Sequence, residues 1–136
     1  MNADTIYTLL ATAIEEVIAE PWTIAQLNVY YLASGHEVEF EGTYLDSTGE
    51  ARQLPTEFSI EIVEAVQQLF TIRDSEGKPR ANSLAFTISA QGRSSAEFTW
   101  DQEIQDEDDH FMNGGTVKEW IKIRNDKYGS SSEQTE

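Results

Sequence analysis

Apolar side chains recur at the three-and-four spacing of one helix face in Ile6, Leu9, Leu10, Ala13, Ile14, Val17 and Ile18, which predicts a helix over about 5–19 with Asp4 as its cap and Pro21 as its stop. From Trp22 the period falls to two. Ala25, Leu27, Val29 and Tyr31 alternate with Gln26, Asn28 and Tyr30, and after a turn at Ser34 and Gly35 a second strand sets Val38, Phe40, Gly42 and Tyr44 against Glu37, Glu39, Glu41 and Thr43. The turn formers Asp46, Ser47, Thr48 and Gly49 then reverse the chain into a short strand over 51–54. These three strands make an antiparallel meander.

Beyond Pro55 the helical period returns in Phe58, Ile62, Val63, Val66, Leu69 and Phe70, a second helix lasting to about Arg73. A loop with Gly77 and Pro79 leads to a hairpin, in which Leu84, Phe86 and Ile88 alternate with Ala85, Thr87 and Ser89. After a turn at Gln91 and Gly92, Ala96, Phe98 and Trp100 alternate with Glu97, Thr99 and Asp101. Residues 102–115 show no apolar period and read as an acidic, mobile loop. A last helix over 116–125 is expected to bury Val117, Trp120, Ile121 and Ile123, with Lys118, Lys122 and Arg124 toward its C-terminal end, where the helix dipole favours cations. The expected fold is α+β, in the order α-β-β-β-α-β-β-α. Two hairpin or meander units form a five-stranded antiparallel sheet covered by two to three helices, in one domain over 1–128 with a disordered tail over 129–136.

Charge changes this picture. The first lysine or arginine is Arg52, and nine carboxylates precede it: Asp4, Glu15, Glu16, Glu20, Glu37, Glu39, Glu41, Asp46 and Glu50. A second acidic run holds Asp101, Glu103, Asp106, Glu107, Asp108 and Asp109, in a chain of net charge -16. Repulsion on this scale opposes compactness, and a basic partner is one reason to keep it, since complementary potentials speed encounter and exclude wrong partners. Solubility alone is the competing reason, under which both acidic rows are solvated faces. Glu15 and Glu16 sit near a helix C-terminus, where negative charge costs a few tenths of a kcal/mol each, so local stability did not select them.

The same charge opposes direct binding to nucleic acid or anionic lipid. No stretch approaches the roughly twenty apolar residues of a membrane span, and the N-terminus lacks the basic region of a signal peptide, so a soluble, unprocessed chain is expected. With no cysteine there is no thiolate chemistry and no disulfide. His36 and His110 are the only histidines, and no glycine-flanked serine accompanies them. The late acidic run lacks the glycine and terminal glutamate spacing of an EF-hand loop, and Gly114-Gly115 is too short for a phosphate loop, so no metal or cofactor is expected. Large aromatics on apolar faces are mostly core, which is the expectation for Trp22, Trp100 and Trp120.

Taken in order, Ile6-Tyr7 in the first helix, Trp22 opening the first strand, Val38-Glu39-Phe40, the hairpin end Phe98-Thr99-Trp100-Asp101, and the closing Trp120 with Lys127-Tyr128-Gly129 resemble the YezG-like antitoxin or immunity proteins. In that family the hairpin end typically carries tyrosine where Trp100 stands, and a lysine-phenylalanine pair is expected after the turn glycine where Arg93 and Ser94 stand. The resemblance implies a cytoplasmic bacterial protein that binds and neutralises a secreted polymorphic toxin, commonly a nuclease. A nuclease cleft is lined with cations, so the partner-binding residues expected are Glu37, Glu39 and Glu41 with Asp101, Glu103, Asp106, Glu107, Asp108 and Asp109. Tyr30 and Tyr44 join them as aromatic anchors. Tyr30 belongs there only if the register of the first hairpin puts it beside the glutamates. Two other classes stay open: an acidic nucleic-acid mimic or adaptor for another basic protein, which needs regularly spaced carboxylates, and a catalytic domain, which needs a cleft with perturbed titrating groups.

Overall fold

The strand Trp22–Leu32 (β1) carries the architecture, because it pairs antiparallel on both sides. A computed structural model describes residues 2–32 and 37–129. Before β1 lies the helix Ala3–Val17 (α1), and after it come Glu37–Asp46 (β2), Ala51–Gln53 (β3), Ile60–Ser75 (α2), Ser83–Ser89 (β4), Ser94–Thr99 (β5), Gln102–Met112 (α3) and Val117–Tyr128 (α4). The strands form one sheet in the order β3-β2-β1-β4-β5, every neighbouring pair antiparallel. The α+β class and the five-stranded sheet are as expected, and β1 joins the two hairpins by pairing with β4. The Ser34-Gly35 turn, His36 and residues 130–136 of the expected tail lie outside the described residues.

Alternation along the strands divides the sheet into an apolar and a polar face. Ala25, Leu27, Val29, Leu84, Phe86 and Ile88 are buried against Ile6, Leu10 and Ile14 of α1 and Val66, Leu69 and Phe70 of α2. Each of the larger of these side chains contributes about 1.5–3 kcal/mol by leaving water. Aromatic contacts tie the layers: Tyr7 stacks on Phe86 at 5.9 Å, Tyr31 on Phe70 at 5.0 Å, and Phe98 meets Phe70 edge-on at 5.6 Å. Gly42 is required by this packing, since a Cβ there would lie 2.7 Å from the Leu54 side chain and 2.8 Å from the Gln26 carbonyl.

Several local expectations are corrected. Asn2, not Asp4, caps α1 by accepting from the Thr5 amide at 2.9 Å, and the helix ends at Val17, before Pro21 can act. Phe58 precedes α2 and packs edge-on to Phe40 at 5.1 Å. The acidic segment is no loop: residues 102–112 form α3, capped by the Asp101 side chain accepting from the Ile104 amide at 3.2 Å. Of the apolar residues of α4 only Trp120 is buried, while Val117, Ile121 and Ile123 are 64%, 53% and 42% exposed. α4 is a short helix held mainly by a capping box at Thr116 and Glu119 and by ion pairs to α3, so it has little apolar surface to seal. Of the other tryptophans, Trp22 is half-buried against the core, while Trp100 lies beyond the end of β5 under the Arg80 guanidinium at 4.0 Å.

Asn82 decides where α3 begins. It is fully buried, and its amide grips the Asp101 backbone on both sides, donating to the carbonyl at 2.8 Å and accepting from the N–H at 2.7 Å. Its own carbonyl takes the Tyr31 amide at 2.8 Å, so the root of α3 is fastened to the central strand. Substituting Asn82→Ala leaves the half-buried Asp101 N–H without this partner and the Asp101 carbonyl with only the Gln105 amide, and should cost about 1–3 kcal/mol in chemical denaturation. Hydrogen exchange should show α3 losing protection before β1.

Candidate functional site

Register settles the polar face. Tyr30 lies directly opposite Glu39 on one side and Ser83 on the other, and Asn28 lies opposite Glu41 and Ala85. Directly opposed residues project to the same side of a sheet, so Tyr30 shares its face with Glu39 and Glu41. Glu37 stands at the strand's start, opposite Leu32 and exposed. Tyr44 belongs elsewhere: it is buried on the core side, its hydroxyl bonded to Glu20 at 2.6 Å, and it is not a surface anchor.

Helix α3 lies over this face and spends its carboxylates on two stripes. Toward α4, Glu103 accepts from the Arg124 guanidinium at 2.8 Å, and Asp106 takes Lys127 at 2.5 Å together with the Tyr128 hydroxyl. The Asp106 carboxyl is held down at about 2, first by the bond from Lys127 and then by those from Tyr128 and Gln102. His110 is engaged in the same seam, its Nε2 2.9 Å from the Thr116 carbonyl and its ring beside Trp120, so close to Gly115 that a Cβ there would collide with it. Asp109 is exposed and accepts from Gln105 at 2.9 Å.

Toward the sheet, Ile104, Glu107, Asp108 and Phe111 fall at the spacing of a second stripe and form one wall of a groove. Tyr30, Leu32, Glu39 and Asp101 complete it, enclosing about 450 Å³. The two acidic rows, some seventy positions apart along the chain, thus meet across one concavity. Four of the expected residues that line it are carboxylates: Glu39, Asp101, Glu107 and Asp108. Glu37, Glu41, Glu103, Asp106 and Asp109 do not line it.

Charge in the groove is incompletely balanced. Glu107 is raised above the usual carboxylate range, first by burial and then by the charges of Glu39 and Glu103, against which Arg124 and a bond from the Trp120 indole act. The Tyr30 hydroxyl is also raised, chiefly by burial, then by the charges of Glu41 and Asp101 and its hydrogen bond to Glu41. Among the described residues, neither Glu39 nor Glu107 takes part in an ion pair. No group of three or more His, Cys, Asp or Glu among the described residues is arranged to hold a metal ion.

A second polar cluster sits at the far end of the sheet. Buried Asp46 accepts from the Thr48 hydroxyl at 2.6 Å, from the Thr48 and Glu50 amides, and from Arg52 at 2.9 Å, so its carboxyl stays far below the usual range. Arg52, the first cation in the chain, is consumed in closing this hairpin.

In comparisons with known proteins, no family model matches the chain and no curated protein matches it. No helix among the described residues is long and apolar enough to cross a membrane.

Two stability effects of opposite sign follow. The folded value of Asp106 lies below its unfolded value of about 3.9, so its contribution is complete above that value and is lost as pH falls through about 2. Asp106→Asn should cost about 1 kcal/mol at neutral pH and flatten this acid limb in pH-dependent denaturation. Glu107 is raised instead, so its charge opposes folding above its titration and the penalty fades as pH falls through the raised value. Glu107→Gln should therefore raise Tm at neutral pH, by a gain of about 0.5 kcal/mol or less, as suits an exposed position. A lowered Tm would mean that the groove carboxylates are not in mutual repulsion.

Proposed function

We propose that this protein is an immunity protein, which binds and neutralises a toxin domain with a basic surface, a nuclease by preference, through the acidic face of its sheet. The observation that supports this most is the convergence of Glu39 with Glu107 and Asp108 on one groove. Solvated charges on a soluble protein gain nothing from being gathered in a concavity, where they repel one another and lose water. A cationic partner turns the same arrangement into attraction, and a nuclease is cationic because it must hold a polyanion.

The similarity to YezG-like proteins points the same way, and two of its motif residues, Glu39 and Asp101, line the groove. Asp101 caps α3 and lines the groove. Lys127 and Tyr128 bind Asp106 and so help to set the angle of α3. The acidic mimic finds less support: the row Glu37, Glu39, Glu41 is not continued across the sheet, where Asn28, Ser83, Ala85 and Thr99 follow and only Glu97 is charged. A bacterial cytoplasmic location belongs to the same proposal, since producers must neutralise such toxins internally.

Steering by charge acts on association, so the measurement is kinetic. Glu39→Lys and Asp108→Lys should each slow association with a cognate nuclease domain by about tenfold or more at low salt and weaken its salt dependence. Glu16→Lys, on the helix layer behind the sheet, makes the same change in net charge and should have a much smaller effect. Equal effects of all three would leave only a net-charge contribution and remove the groove from the interface.

A further inference from the structure

The groove is specific in what it can accept. Its volume of about 450 Å³ suits long side chains, not a whole element, since a helix with its side chains measures about 10–12 Å across. Leu32 and Ile104 supply apolar wall, and the rings of Tyr30 and Phe111 border it, Phe111 being 39% exposed. Carboxylates enter from both sides, Glu39 from β2 and Glu107 with Asp108 from α3. The Arg124 guanidinium that partly offsets Glu107 is committed to Glu103 at 2.8 Å.

We propose that the groove is a socket for one arginine side chain of the partner, its stem against Leu32 and Ile104, its guanidinium beside the Tyr30 and Phe111 rings and donating to Glu39 and Glu107. This rests on the acidic-surface reading above and adds the chemistry of the inserted group. Arginine fits better than lysine for three reasons. Its guanidinium is weakly hydrated and loses less on entering a partly apolar cleft, its flat face stacks on aromatic rings, and its fork of donors can serve carboxylates on opposite walls. An ammonium is compact and strongly hydrated, better placed among exposed acids.

The test titrates the 136-residue chain with Nα-acetyl-arginine amide, followed by amide chemical shifts in NMR, beside the lysine and the neutral citrulline analogues. The arginine probe should give saturable shifts confined to Tyr30, Leu32, Glu39, Ile104, Glu107 and Phe111. Lysine should bind more weakly and citrulline not at all. Glu39→Gln and Glu107→Gln should each weaken arginine binding about threefold to tenfold, while Glu16→Gln leaves it unchanged. Indistinguishable arginine and lysine responses, or shifts spread over all acidic surfaces without saturation, would overturn the socket. So would arginine binding that is indifferent to both groove substitutions. If the socket fails in this way while Glu39→Lys still slows association with the nuclease domain, the acidic-face reading stands alone. If neither experiment responds, both fall.

Discussion

The register of β1 is the constraint on which the rest depends. One strand pairs on both edges, so its alternation assigns sides for the whole sheet: Ala25, Leu27 and Val29 to the core, Gln26, Asn28 and Tyr30 to the opposite face. A slip of one residue between β1 and β2 would either bring Glu39 and Glu41 under the helices or push Leu27 and Val29 into water. Burial of the apolar set therefore enforces the display of the acidic set. The core does not merely support the polar face; it determines which residues compose it.

Helix α3 shows how an acidic segment can be ordered without a hydrophobic stripe. It has no buried residue, and its charges near the C-terminal end work against the helix dipole. What fixes it lies at its margins: Asn82 holding Asp101, the Asp101 cap, and the cations of α4 drawn to Glu103 and Asp106. Two of its carboxylates are thereby satisfied within the chain. The pairs made on that side set the tilt that turns Glu107 and Asp108 toward the sheet.

Where the chain has a strong period, its structure was legible. The five strands, α1 and α2 all follow from alternation or from the three-and-four spacing, and even the placing of Tyr30 beside Glu39 needed only the hairpin register. Reading failed where stability comes from polar pairing. In α3 the segment carries only Ile104, Phe111 and Met112 as large apolar residues, so no hydrophobic period betrays it. The signals present were of another kind, an aspartate able to cap, glutamine–aspartate pairs at i,i+4, and Gly114-Gly115 as a stop. Of the groove itself, Glu39, Glu107, Asp108, Asp101 and Tyr30 were readable by charge and type. Leu32, Ile104 and Phe111 were not, because nothing local says that an apolar residue will line a concavity rather than a core. Asn82 offered no signal at all, since its importance lies in a backbone nineteen positions away.

Not all of the negative charge asks for the same explanation. Asp46 accepts four hydrogen bonds and closes a turn; Glu20 bonds a core tyrosine; Glu103 and Asp106 bind α4. These serve the fold, and removing them loosens it. Glu15, Glu16 and Glu61 are exposed, where charge is fully hydrated and needs no partner. Glu39 and Glu107 belong to neither group: they face each other across a partly apolar cleft with no cation paired to them among the described residues, an arrangement that stability opposes and hydration does not require. Strain of this kind at a surface is relieved when an opposite charge enters, and the free energy released then contributes to binding. The proposed recognition therefore belongs at the groove, and not across the acidic surface as a whole.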